Sequence, residues 1–171
     1  MSKLKQYSEE EWNKIAVLPQ LVGAIVAGVE QSGLVGSTKE MMATAKSFLE
    51  AKEKYPNNIL IQTIIPQTKE VDVVLEDVTD EQTRFKNRLK AYEVKTNEEL
   101  IVNVLADCKS TMLVLKEKES EATVAEYKSW LLDIAQSVAK SGTEGDFLGF
   151  GGVKFSDKEK EVVEALKEAL S

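Results

Sequence analysis

The chain has 171 residues, enough for one domain rather than two at the usual roughly 100–200 residues each. Its make-up, 43% hydrophobic and 30% charged with nine Gly and three Pro, excludes collagen-like, linker-like and disordered chains. A net charge of -7 works against any broad nucleic-acid surface, because phosphate binding needs clustered Lys and Arg. The absence of histidine removes the commonest general base, metal ligand and near-neutral switch together.

The acidity is concentrated late: residues 1–60 hold seven basic and seven acidic side chains, 61–118 nine and eleven, and 119–171 six and eleven. The one cysteine, Cys108, leaves no disulfide framework, so a reducing compartment suffices. The opening Met1 to Trp12 places Glu9, Glu10 and Glu11 ahead of any apolar run, the wrong layout for a secretory signal, and a cytoplasmic location is expected. The longest apolar stretch, Ile15 to Val29, has 15 residues and is interrupted by Pro19 and Gln20. That is short of the roughly 20 needed to cross a bilayer.

Helix start signals recur along the chain: Ser8 with Glu11, Ser37 with Glu40, Thr96 with Glu99, Thr123 with Glu126, and Ser156 with Glu159. In each pair the hydroxyl can accept from an early helical N–H while the carboxylate returns to the cap's own N–H. The first helix is expected over 9–31. Apolar nearly all round, it reads as the buried central helix. Pro19 removes one of its hydrogen bonds, and Gly23, Ala24, Ala27 and Gly28 put small residues four apart, which lets a neighbouring backbone close in. A second helix is expected over 38–54, with Met41, Ala45, Phe48 and Lys52 on one stripe, ending before Pro56. Asn57 to Ile65 fits either a short helix or a buried strand, and helix is preferred because no second strand exists to pair with it.

From Pro66, apolar positions at Val71, Val74, Leu75, Val78, Phe85, Leu89 and Tyr92, with Gln82 among them, sustain a seven-residue repeat. They predict one long helix over 67–95, with a break near Thr79-Asp80 as the alternative. Ile101, Val104, Leu105, Cys108, Met112 and Leu115 form the next amphipathic stripe, followed by Val124, Tyr127, Leu131, Ile134, Ala135 and Val138. Ser141 to Val153 then holds five of the nine glycines, with Phe147, Leu148 and Phe150 between them. Ser156 opens a last helix over 157–170 on Val162, Val163, Leu166, Ala169 and Leu170. The expected fold is all-α, a single-domain bundle over 1–171 of four to five long helices with one or two short ones.

Bundle cores that hold paired iron or manganese use Glu-x-x-His on two helices, and this chain has no histidine. A carboxylate-only site needs acids on the apolar stripes, whereas Glu98, Glu99, Asp107, Glu126 and Asp133 fall off them, so no metal is expected. Cys108 lies on a core stripe, where a thiol is a small buried hydrophobe, protonated and inert. No Gly-x-Ser-x-Gly elbow occurs. Catalytic residues, cofactors and enzymatic activity are not expected.

Two candidates for recognition remain. In Gly145 to Lys154, backbone N–H groups offer an anion cradle, with Lys154 alongside and a helix start at Ser156 beyond. The alternative is a helix connection whose glycines take positive φ while Phe147 and Phe150 plug the bundle end. The glycine spacing matches neither phosphate-binding motif, so the connection is preferred, and Phe147, Phe150, Gly151, Gly152 and Lys154 are retained as ligand or interaction candidates. The second candidate is the basic run Arg84, Lys86, Arg88, Lys90 and Lys95. Arg84 and Arg88 are the chain's two arginines and lie four apart, a spacing suited to gripping a phosphate or carboxylate. Residues 67–83 carry six acids against one base, so the expected long helix runs from acidic to basic as the macrodipole favours, without a ligand. Two such helices laid antiparallel set acid against base at both ends, which points to a homodimer.

Ser8-Glu-Glu-Glu-Trp12 with Pro19 and Gly23 downstream, and Trp130 to Ala139 followed by Phe147-Leu-Gly-Phe-Gly-Gly152 and Ser156-x-x-Glu159, resemble a group of small bacterial helical proteins of unknown function. The resemblance leaves the middle of the chain unassigned and brings no site residues with it. It implies a stand-alone bacterial cytoplasmic protein. The resulting reading is a non-catalytic helical protein acting by protein interaction or self-assembly. Its partner is a second copy or another protein, with neither nucleic acid nor a membrane span involved. The alternative is a small-molecule or anion binder with its pocket near the loop 142–155. Docking of the first helix on a membrane is disfavoured, because residues 15–29 carry no charge where a surface helix needs a Lys-rich face.

Overall fold

The structure, a computed structural model, describes residues 3–28, 38–65, 79–143 and 156–171. A 3-10 turn at Lys3–Gln6 leads into α1 (Glu9–Gly28), followed by α2 (Thr38–Lys54), α3 (Ile59–Ile64), α4 (Thr79–Tyr92), α5 (Asn97–Lys118), α6 (Glu121–Thr143) and α7 (Asp157–Ala169). The fold is all-α, with no strand among the described residues. Asn57 to Ile65 resolves as helix: Asn58 caps α3, its Oδ1 accepting from the Ile61 N–H at 3.1 Å.

Helix starts follow local chemistry. At Ser8 both halves of the capping box form, Glu11 N–H to Ser8 Oγ at 3.1 Å and Ser8 N–H to Glu11 Oε2 at 2.7 Å. Ser156 and Glu159 form the same box at the start of α7. Thr96 caps α5 through the Glu99 N–H, while the Glu99 carboxylate reaches the Lys95 N–H instead of that of the cap. The expected start at Thr123 is corrected: α6 begins three residues earlier, with Ser120 Oγ accepting from the Thr123 N–H at 3.2 Å. Glu126 is thereby released to accept from Asn58 Nδ2 at 2.8 Å. Ser37 lies outside the described residues, as does the part of the expected 67–95 helix before Thr79. At its other end that helix stops at Tyr92, where Glu93 takes a left-handed φ of 53°.

α1 is the central helix, with Ile15, Leu18, Leu21, Val22, Ile25 and Val26 almost wholly buried. It packs on α2, α4, α5, α6 and α7, and the most extensive helix pair is α2 with α6. Pro19 lies inside α1 without ending it. Having no N–H, it deprives the carbonyl four residues back, that of Ile15, of its helical partner. Tyr127 of α6 fills the vacancy, its hydroxyl donating to the Ile15 carbonyl at 2.7 Å within the core. At the other end of α1, Asn97 Nδ2 donates to the Gly28 carbonyl at 2.6 Å.

The stripes foreseen for α6 and α7 are all buried, joined in α6 by Trp130 and Ala139. In α2 the buried line runs through Ala45, Phe48 and Ala51 and continues to Tyr55 just past the helix, with Lys52 at its edge, while the side chain of Met41 lies outside those described. In α5 the buried arc is Leu100, Val104, Asp107, Cys108, Thr111, Met112 and Leu115, so Asp107 is corrected from the outside of the helix to its inner face. The helix is apolar on both sides, and Ile101 and Leu105 turn only half inward.

The small-residue spacing of α1 has a partner in α2: a Cβ built on Gly23 would stand 2.7 Å from Thr44 Oγ1 and 3.3 Å from its Cγ2. Gly23→Val should therefore destabilise the protein by about 2 kcal/mol through overpacking, and Thr44→Ala should recover part of the loss, both measured by denaturant unfolding.

Candidate functional site

α4 carries no buried side chain among those described; Phe85, Leu89 and Tyr92 lie half-buried against the core. Its polar anchor is Arg88. The guanidinium makes a two-pronged contact with Asp107 of α5, Nε to Oδ2 at 2.7 Å and Nη2 to Oδ1. Tyr92 donates its hydroxyl to the same Oδ2 and lies under the guanidinium, 4.9 Å from ring centre to Cζ. Asp107 is 6% exposed, and its hydrogen bonds hold the Arg88 proton more tightly than usual. Burial pushes the Tyr92 hydroxyl well above the usual tyrosine range, with the bond to Asp107 adding to the effect. The fork geometry is the one Arg uses for an external carboxylate, here satisfied within the chain.

The structure brings Arg84 and Arg88 to one groove of about 470 Å³ between α1 and α4, lined also by Glu9, Glu10, Asn13, Lys14, Asn87 and Ala91. Lys14 pairs with Glu10 at 3.0 Å. The three cations are thus balanced by Glu9, Glu10 and Asp107, and the groove is close to neutral. Past the Glu10–Lys14 pair a second hollow of about 170 Å³ opens between α1 and α5, with Ser8, Ile15, Ser110, Thr111 and Val114 among its walls. Lys86, Lys90 and Lys95 are exposed. Phe147, Phe150, Gly151, Gly152 and Lys154 lie outside the described residues.

Cys108 is fully buried, and burial pushes its thiol up to about 12. Among the described residues no group of three or more Cys, Asp or Glu side chains is placed to hold a metal ion. No described helix is long and apolar enough to cross a membrane.

The reading from periodicity found both arginines and missed Asp107, the residue that holds Arg88. The available signal was its place three residues after Val104 and four before Thr111, on the arc that turns inward.

Asp107 is the buried partner of this pair, and removing Arg88 takes away its counter-charge. Arg88→Leu alone should cost about 3 kcal/mol and the double variant Arg88→Leu with Asp107→Leu much less, read from chemical unfolding. Cys108 should resist iodoacetamide at mildly alkaline pH while folded and react on unfolding, because the thiolate is the reactive form; mass spectrometry distinguishes the two. No protein-family model matches the chain, and neither a curated protein nor a solved structure does, so the likeness of its terminal segments to small bacterial helical proteins assigns it to no family.

Proposed function

We propose that the protein is a non-catalytic, bacterial cytoplasmic helical protein that works by protein interaction, with self-association as its first form. The observation that carries this reading is the outer face of α5. Val102 and Leu113 are 66% and 65% exposed. They lie eleven residues apart with exposed Ala106 and Lys109 between them, which at 3.6 residues per turn is one line along the helix. Met42 and Ile59 are the other exposed large apolar residues among those described, and each belongs to a different helix.

A helix that buries one face and still presents an apolar line on the other suits a partner helix laid along it. A second copy laid antiparallel sets Val102 against Leu113. Glu98 and Lys116 flank the line on the same side, so the same arrangement brings each near the other's counterpart, which favours this register. Lys109, central on the line, holds the affinity down. The charge split of residues 67–95 first suggested a homodimer; we assign its contact to α5 instead, and the engagement of Arg88 with Asp107 supports that choice. The non-catalytic part of the proposal is supported by the lack of histidine and by the buried, protonated Cys108.

Sedimentation equilibrium tests this reading. The wild-type mass should climb above 19.0 kDa as concentration rises, while the variant with Val102→Gln and Leu113→Gln stays at that mass with unchanged helicity. A wild-type chain that remains at 19.0 kDa at high micromolar concentration removes the self-association proposal.

A further inference from the structure

Along the outer face of α5, Val102, Ala106, Lys109, Leu113 and Lys116 follow one another at steps of four, three, four and three residues, and all five are exposed. This alternation is the seam spacing of two helices packed side by side, which keeps one line of side chains facing a partner over several turns. Val102, Ala106 and Leu113 are apolar, as such a seam requires, and Lys116 at its end donates to the Ser171 carbonyl at 2.7 Å. The exception is Lys109, at the centre.

Lys109 has no ion pair and no side-chain hydrogen bond among the described residues. The nearest acid in sequence, Asp107, is 6% exposed and is taken up by Arg88 and Tyr92. The next along the helix, Glu99 and Glu117, lie ten and eight residues away, about 15 and 12 Å at 1.5 Å per residue. A second copy of the chain does not supply the missing charge. With Val102 set against Leu113, the copy places its Ala106 opposite Lys109 and its own Lys109 three residues further on, about 4.5 Å along the axis. The copy's Glu99 falls level with Lys116, about 10 Å away on the same scale. Two ammonium groups then share one stretch of the seam with no carboxylate between them.

A single lysine in an otherwise apolar seam selects the partner: it opposes an identical helix and favours one that brings an acid to the same place. Resting on the reading of α5 as the interaction face, we propose that the preferred occupant of this seam is an amphipathic partner helix of another protein. That helix carries an acidic side chain within one turn of Lys109, between apolar residues that cover Val102 and Leu113. The contact gains attraction as the flanking apolar pairs exclude water, since a charge pair is stronger when partly desolvated than when fully exposed. Self-association is the weaker use of the same face, because it sets one Lys109 near the other.

A charge-reversed copy of the protein supplies the partner's chemistry. Lys109→Glu alters one exposed side chain and puts a carboxylate within a turn of the wild-type Lys109. Full-length Lys109→Glu with an amino-terminal dye is titrated with unlabelled wild type and followed by fluorescence-detected sedimentation velocity. Labelled wild type against wild type, and variant against variant, are the references, and circular dichroism checks that helicity is retained. The mixed pair should bind about tenfold more tightly than wild type binds itself, the gain of one close charge pair, and high salt should remove most of that advantage. Adding Val102→Gln and Leu113→Gln to the variant should abolish mixed pairing, and Lys109→Met in place of wild type should lose the preference for the Glu chain. A mixed pair no tighter than the wild-type pair overturns the inference while self-association stands. A tight mixed pair beside a monomeric wild type supports the inference and removes self-association alone. Mixed pairing that survives the two Gln substitutions, a preference that persists with Lys109→Met, or no association in any combination overturns the inference.

Discussion

The hydrogen bond from the Tyr127 hydroxyl to the Ile15 carbonyl, 2.7 Å long and buried, organises this fold. It exists because Pro19 occupies the interior of the central helix and cannot donate to that carbonyl. In the core no water is at hand, so an unpaired carbonyl there carries the full desolvation cost. Tyr127 is itself fully buried, and burial raises its hydroxyl well above the ordinary tyrosine value, keeping it a donor. The bond fixes α6 against α1. Trp130, three residues along α6 and in edge contact with Tyr127, is positioned by the same constraint, and its ring meets Phe48 of α2 at 5.3 Å between centroids.

Other polar contacts tie the peripheral elements to that centre. Asn58 joins α3 to the start of α6 with all of its amide engaged. Arg88 joins α4 to α5, adding to the hold of the half-buried Phe85, Leu89 and Tyr92. Lys118 donates to Glu11, whose carboxylate is held below its usual range by that bond and also closes the Ser8 box, so the end of α5 is fastened to the start of α1. Apolar periodicity brings the helices together, and these contacts select their registers.

Much of the fold was legible because its signals are local. A Ser or Thr three residues ahead of Glu marks the starts of α1, α5 and α7, and the stripes of α6 and α7 each have a single apolar arc. What failed were the places with competing arcs or caps. α5 is apolar on two sides, so spacing alone did not say which arc turns inward, and Asp107 was assigned to solvent. Ser120 and Thr123 both qualify as caps, and the choice depended on Asn58 claiming Glu126 from a distant part of the chain. For the candidate site, the four-residue spacing of Arg84 and Arg88 was visible, but their near-neutral groove arises from tertiary placement of Glu9, Glu10 and Asp107.

A double-mutant cycle between Pro19 and Tyr127, read as unfolding free energy, tests the central dependence most directly. Tyr127→Phe should cost about 1–3 kcal/mol in the wild-type chain, where it leaves the Ile15 carbonyl unpaired. It should lose most of that cost in the Pro19→Ala background, where a backbone N–H at position 19 takes over the carbonyl. Equal costs for Tyr127→Phe in the two backgrounds would contradict the account.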